Sequence, residues 1–215
     1  MVIKSRWNFP TPAVSLPTFI FDSPHGELPK TPLYISAKEP EKYFLSTEDY
    51  RLYAKRVASG LLRAGLQPGD RVLLFSGNTM FFPSMVMGVI MAEGVFTGAN
   101  PTYVARELAY QLKDSGAKFL ICAEGSLDTG VAAAQEAGLA ADRVFIFDDG
   151  TATFEGRKVE KDTKLGHIRH WTALLDSEQN GHKHHWRRKR RHDHAPQLRR
   201  QLLAADPHVD PVPQL

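Results

Sequence analysis

Between residues 46 and 150, short apolar runs alternate with longer amphipathic runs, and turn residues separate one run from the next. The short runs are apolar on both faces and too short for ordinary helices, which is typical of buried parallel strands. Strands joined by helical crossovers pair in parallel with right-handed connections. The alternation therefore predicts an α/β fold, a doubly wound, mainly parallel sheet with helices on both faces. The predicted strands are Arg71–Phe75, Val95–Ala99, 118–123 and 143–147.

Helices are predicted before and between these strands. The first begins at Ser46, which with Asp49 has the spacing of a capping box, and apolar side chains then recur every three or four residues. Gly65 can adopt the left-handed conformation that ends a helix. These elements predict one folded domain over residues 46–178. The predicted helices are 46–64, 79–93, 104–115 and 126–137.

The flanking segments differ in composition from this domain. Residues 1–45 contain seven prolines, which predicts a mostly extended leader with short strands at 33–37 and 43–45. Residues 151–166 are polar and rich in lysine, which predicts a surface loop or linker. Residues 179–215 are rich in His and Arg, which predicts a disordered tail.

Charge is distributed unevenly along the chain. Residues 1–178 contain 19 Lys and Arg against 21 Asp and Glu, whereas residues 179–215 contain 8 against 3. The body has no basic stripe of the kind that binds nucleic acid. In the tail, the basic run 187–191 beside Trp186 is compatible with a nuclear address or a nonspecific phosphate contact. A solvated tail is the preferred interpretation.

The sequence also predicts an intracellular, cytoplasmic protein. Cys122 is the single cysteine, so no intrachain disulfide can form. Prolines interrupt the N-terminal region where a signal peptide needs a continuous apolar stretch. The apolar stretch 80–92 is shorter than the roughly 20 residues that a membrane-spanning helix requires. The C-terminal Pro213-Gln214-Leu215 is not a peroxisomal signal.

No pattern in the folded region predicts a catalytic, cofactor-binding or metal-binding residue. Cys122 lies in an apolar run, which favours a buried thiol over a nucleophile. His167 and His170, beside Trp171, lack the third ligand of a metal site. The histidines of the tail are expected to bind metals only adventitiously. Met80, Met85, Met87 and Met91 are interpreted as core residues rather than as a flexible binding surface.

A series of short motifs resembles one enzyme family when the motifs are taken in order. They are residues 45–50, Ala58-Ser59-Gly60-Leu61, Gly69-Asp70-Arg71-Val72, Ser76-Gly77-Asn78-Thr79, residues 87–94, and Thr97-Gly98-Ala99-Asn100-Pro101 with Glu107-Leu108. Each motif alone is weak. Together, from about residue 30 to Asp176, they resemble the opening of the adenylate-forming (AMP-binding) enzymes, in particular fungal coumarate–CoA ligase-like enzymes of secondary metabolism.

The resemblance implies an ATP- and Mg²⁺-dependent reaction that converts a carboxylic acid to an acyl-adenylate and then to a thioester of coenzyme A. It also implies a Ser/Thr- and Gly-rich phosphate loop ending in Pro-Lys-Gly, an adenine and ribose motif, an acid pocket, and a mobile C-terminal domain with a catalytic lysine. None of these has a counterpart in the 215 residues. The chain is therefore expected to be the N-terminal part of an acyl-CoA ligase-like enzyme and to be inactive by itself.

The composition changes after Asp176, where the family order places the phosphate loop. This change suggests translation in another frame or across an altered splice junction, and the genomic sequence beyond codon 178 would test that hypothesis. The alternative function is a non-catalytic binding module whose basic tail contacts nucleic acid or an acidic partner. A partial domain would also expose apolar faces and sheet edges, so we expect poor solubility.

Overall fold

The computed structural model describes residues 12–22, 28–157 and 159–175, which fall into two units. The first unit contains one short helix, α1 (Leu16–Phe21). Ser15 Oγ accepts a hydrogen bond from the Thr18 amide at 3.3 Å, and Pro17 occupies the first turn, where its missing N–H is tolerated. The prediction of an extended leader was wrong for these residues. The remainder of the leader before residue 12 and the tail 179–215 lie outside the described residues.

The second unit is built on a mixed, six-stranded sheet. Its strands are β3 (Arg71–Phe75), β4 (Val95–Ala99), β5 (Phe119–Ala123), β6 (Val144–Phe147), β7 (Lys161–Thr163) and β8 (Gly166–His170). Their order is β4-β3-β5-β6-β8-β7, and all neighbours are parallel except β7, which is antiparallel to β8. The predicted mainly parallel, doubly wound sheet is confirmed, with an antiparallel edge strand added.

Helices cover both faces of this sheet. On one face, α2 (Thr47–Arg63) and α3 (Phe82–Met91) pack on alternate strand residues such as Val72 and Ile121. On the other face, α4 (Ala105–Ser115) and α5 (Leu127–Ala137) pack on the intervening ones, such as Leu73 and Cys122. The residues of β3, β5 and β6 are therefore buried on both sides, which explains why these three sequences are almost continuously apolar.

The predicted helix boundaries agree closely with the structure. At the start of α2, Ser46 Oγ accepts a bond from the Asp49 amide at 3.2 Å, and Asp49 Oδ2 accepts one from the Ser46 amide at 3.0 Å, so the capping box is confirmed. Helix α3 begins later than predicted, at Phe82, because Pro83 occupies its first turn and the preceding residues form a loop. No helix in the described ranges is both long and apolar enough to span a bilayer.

The prediction of a surface loop or linker over residues 151–166 was wrong. These residues form a short helix, α6 (Thr151–Phe154), and strand β7, and β8 begins at Gly166. Side chains along β8 alternate, so that Ile168 and His170 are buried while His167 and Arg169 are exposed. A polar sequence concealed the hairpin because β7 is an edge strand with mostly exposed side chains.

Strands β1 (Pro32–Ile35) and β2 (Phe44–Ser46) form a separate antiparallel pair, which confirms the two short strands predicted in the leader. Leu45 is 1% exposed in the core, and the Tyr34 ring meets the Tyr50 ring of α2 edge-on at 5.4 Å. Residues 28–45 thus belong to the folded unit, so the domain extends upstream of the predicted boundary at Ser46.

Candidate functional site

The carboxyl ends of β3, β5 and β6 meet at one edge of the sheet. Strand β3 is central, because the chain passes from it to β4 on one side and then returns to β5 on the other. The two crossover helices, α3 and α4, lie on opposite faces. In open α/β sheets, this reversal of strand order leaves a crevice beyond the carboxyl ends, where ligands commonly bind.

An open pocket of about 650 Å³ lies at this edge. Its floor is formed by the segments that follow the three strands, and its rim by the loop after β1 and by the segment around α6. Ser76 is buried and donates its hydroxyl proton to the Gly77 carbonyl at 2.9 Å. The polar side chains of the lining are Lys38, Glu39, Ser76, Asn78, Thr79, Glu124, Asp148, Asp149, Thr151 and Arg157.

Asp148 is the buried carboxylate of this pocket, with 4% of its surface exposed. Its Oδ1 accepts hydrogen bonds from Trp171 Nε1 and Thr153 Oγ1, each at 2.9 Å, and its Oδ2 accepts one from the Thr153 amide at 3.0 Å. Burial alone would raise the pKa of Asp148, but the His170 ring, Trp171 and Thr153 together lower it below its ordinary value. Hydrogen-bond donors therefore stabilise the ionised form of the buried Asp148 carboxylate.

His170 and Trp171 connect this carboxylate to the end of β8. His170 is 2% exposed, its Nδ1 lies 2.9 Å from Thr172 Oγ1, and its Nε2 lies 3.4 Å from Asp148 Oδ1. The Trp171 indole packs against the Phe81 and Phe147 rings, with centroids 5.1 and 5.4 Å away. Asp148 thus joins the pocket floor to α6 through Thr153 and to the last described turn through Trp171.

The two cations of the pocket each lie beside a carboxylate. Lys38 Nζ lies 3.1 Å from Asp149 Oδ2, and Arg157 Nε lies 2.7 Å from Glu155 Oε2, so both cations already have anionic partners. Four carboxylates line the pocket beside these two cations, so its net charge is negative. Within residues 12–22, 28–157 and 159–175, no group of three His, Cys, Asp or Glu side chains could hold a metal ion.

The structure places the other residues singled out in the sequence as follows. Cys122 is fully buried in β5, and burial raises the pKa of its thiol to about 12, which makes it a poor nucleophile at neutral pH. Met85 and Met87 are buried in α3, in agreement with the core interpretation. His167 and His170 alternate on β8, so one is exposed and the other buried. The tail histidines and the basic run 187–191 lie outside the described residues.

Sequence reasoning did not identify the pocket residues. A signal for some of them exists, because Ser76, Glu124 and Asp148 each directly follow a predicted strand and the carboxyl ends of parallel strands share one edge. The contact between Asp148 and Trp171 has no local signal, since 23 residues separate the partners.

Comparison with known proteins decides the family. The model of the AMP-binding enzyme family matches residues 27–197. The chain belongs to this family. The match continues past Asp176, where the sequence motifs alone placed its end.

Curated relatives in this family include two acyl-CoA ligases of Aspergillus niger. Phenylacetyl-CoA ligase epaB is 34% identical over 176 residues, which make up 82% of this chain and 31% of that protein. Acyl-CoA ligase azaF is 34% identical over 175 residues, 81% of this chain and 31% of that protein. The chain therefore spans about a third of the length of these relatives.

The fold agrees with solved members of the family. A benzoate CoA ligase from Burkholderia xenovorans LB400 superposes with a TM-score of 0.58 at 19% identity, over 76% of this chain and 28% of that one. The adenylate-forming ligase fold that the motifs implied is thus confirmed for the described part of the chain.

Proposed function

We propose that the chain is the N-terminal scaffold of an acyl-CoA ligase that uses ATP to convert a carboxylic acid to an acyl-adenylate and then transfers the acyl group to coenzyme A. The observation that carries this proposal is the match to two fungal acyl-CoA ligases over more than four-fifths of the chain but only 31% of their length. ATP, Mg²⁺, the acid and coenzyme A would be bound by the longer protein, inside the cell.

The 215-residue chain by itself is proposed to be catalytically inactive. Its sequence contains no Pro-Lys-Gly phosphate loop, and the pocket at the strand ends carries an excess of carboxylates. Adenylation depends on preorganised groups that stabilise charge on the transferring phosphates, and this chain does not provide them.

Isotope exchange between pyrophosphate and ATP measures adenylation directly. Purified 215-residue protein should give background exchange with a panel of aromatic and aliphatic acids, while a full-length acyl-CoA ligase assayed in parallel gives signal with its own acid. Acid-dependent exchange by the short chain, abolished when its preparation is depleted with an antibody against it, would contradict the proposal.

The proposed scaffold comprises the domain 46–178 together with the β1–β2 pair before it. Outside the main core, β1 and β2 expose Leu33, Ile35 and Phe44 by 39 to 51%. Apolar surface of this kind favours association when nothing covers it. The isolated chain should therefore be poorly soluble, and a monodisperse monomer that melts cooperatively would count against its being a partial domain.

The second candidate function is a binding module whose tail contacts nucleic acid or an acidic partner, and the charge of residues 179–215 favours it. Retention on DNA should then fall steeply with salt, because each phosphate contact releases counterions. A chain that ends at residue 178 is the control. Equal retention of the two chains would exclude the tail as the binding element.

A further inference from the structure

The hairpin of β7 and β8 contains a histidine held between two carboxylates. His167 on β8 is directly opposite Asp162 on β7, and its Nδ1 lies 2.9 Å from Asp162 Oδ1. The second ring nitrogen, Nε2, lies 3.1 Å from Glu160 Oε2, just before β7 begins. One imidazole ring on β8 thus contacts both a residue of β7 and the residue that precedes this strand.

This geometry suits only the protonated ring. A neutral imidazole donates one hydrogen bond, so its other nitrogen would present a lone pair to a carboxylate. An imidazolium donates from both nitrogens and satisfies both carboxylates with charge-assisted bonds. In agreement, hydrogen bonds to Asp162 and then to Glu160 raise the pKa of His167 above its ordinary value of 6.5.

The neighbouring charged side chains have contacts of their own outside the group of His167, Asp162 and Glu160. On β7, Lys161 Nζ lies 4.0 Å from Glu124, and on β8 the Arg169 guanidinium lies over the Phe145 ring at 5.2 Å. In the turn before β6, Arg143 Nε lies 3.9 Å from Asp142 Oδ2. The two carboxylates face opposite nitrogens of His167, so the cluster cannot converge on one metal ion.

We propose that His167, Asp162 and Glu160 form a protonation-dependent latch, which holds the edge strand β7 on the sheet at lower pH and releases it as the pH rises. The latch is independent of the ligase function proposed above. Its release would uncover the outer edge of β8, an unpaired strand edge that can accept another strand. His170 of the pocket network lies on the same strand, β8, as His167 of the latch.

The sign of the effect follows from the protonated ring. The folded state has the higher His167 pKa, so the latch contributes its full stability below the unfolded-state value of 6.5 and loses it as the pH passes through the folded-state pKa. Because the groups are largely exposed, we expect local opening of the hairpin rather than global unfolding.

Hydrogen–deuterium exchange measured by mass spectrometry tests the latch on the full chain at low concentration. Exchange at the imidazole carbon of His167 should give a pKa above 6.5, which Asp162→Asn and Glu160→Gln each lower. Asp142→Asn changes an exposed carboxylate of the neighbouring turn, so it is the matched control and should leave the His167 pKa unchanged.

Backbone exchange supplies the second readout. Protection factors of the β7 amides should fall several-fold between about pH 6 and about pH 8 in the wild type and stay flat in His167→Gln. A His167 pKa of 6.5 or lower, or β7 protection with the same pH dependence in His167→Gln, would overturn the proposal.

Discussion

The two helical layers of the sheet differ in how far apart in sequence their residues lie. The layer of α4 and α5 is mainly aliphatic, rich in alanine, and most of its core comes from residues 99–146. The layer of α2 and α3 contains more aromatic rings, including Phe81 and Trp171, and gathers residues from Leu45 to Leu174. The core of the α4–α5 layer therefore comes mostly from residues close together in the chain. The core of the α2–α3 layer also needs the last described turn, whose Trp171 donates a hydrogen bond to Asp148 of the pocket.

Replacement of the closely packed Gly60 by alanine should cause the largest loss of folding stability. A Cβ on Gly60 of α2 would overlap the backbone of Leu174, which cannot move without displacing the final turn, whereas a Cβ on Gly130 of α5 would meet the Cys122 sulfur at 2.5 Å. We expect Gly60→Ala to destabilise the fold by about 3 kcal/mol and Gly130→Ala by about 1 kcal/mol. Pulse proteolysis in urea, at low protein concentration, measures both.

Gly125→Ala is the control for these two variants, since a Cβ there meets nothing within 4 Å. Equal losses for Gly60→Ala and Gly130→Ala would remove the proposed difference between the layers.

Removal of the Trp171 N–H donor should cause the next largest loss of folding stability. Trp171→Phe retains an aromatic ring but removes the hydrogen bond to the buried Asp148 carboxylate. A hydrogen bond to a charged group contributes about 2 kcal/mol, so we expect a loss of that size. Thr172→Val removes the contact with His170 Nδ1 while leaving the Trp171 bond intact, and it should cost less. The reverse order would show that Asp148 is not the centre of the network.

Acid should weaken the α2–α3 layer through Asp148. The pKa of Asp148 is lowered in the folded state, so its contribution to stability is present above the ordinary value of 3.8 and is lost as the pH falls toward the folded-state pKa. Asp148→Asn should be less stable than the wild type at neutral pH and lose less stability on acidification. Urea midpoints measured from about pH 7 to about pH 3 test this. Parallel curves for the two proteins would contradict it.

The smallest effect concerns the outer edge of β4, which has no neighbouring strand among the described residues and lies near α4. Gln111 Nε2 of α4 donates to the Gly98 carbonyl at 3.0 Å and so satisfies one edge group of this strand. Gln111→Ala should cost less than about 1 kcal/mol but increase association, because an unpaired edge accepts other strands. Light scattering compares it with Gln135→Ala, an exposed glutamine of α5. Similar association of the two variants would assign no protective role to Gln111.

Local sequence signals predicted most of the sheet. Strands β3 and β4 have the predicted bounds, and the Ser46–Asp49 capping box begins α2 as expected, because these features depend on neighbours in the chain. The β7–β8 hairpin was missed because an edge strand needs no continuous apolar run.

The pocket depends on tertiary contacts that leave little trace in the sequence. Asp148 could be placed after a strand, but its bond to Trp171 forms only when β8 pairs beside β6 and carries the following turn to it. The ordered motifs of the family predicted the proposed function, whereas no single catalytic residue in the chain did.

Domain replacement tests whether the chain is a ligase scaffold. Residues 28–175 would replace the corresponding segment of phenylacetyl-CoA ligase epaB, and thioester formation would be measured with phenylacetate, ATP and coenzyme A. We expect the chimera to form phenylacetyl-CoA, and a Gly60→Ala chimera to give a reduced yield of folded, active protein. A soluble, folded chimera that forms no thioester would contradict the claim.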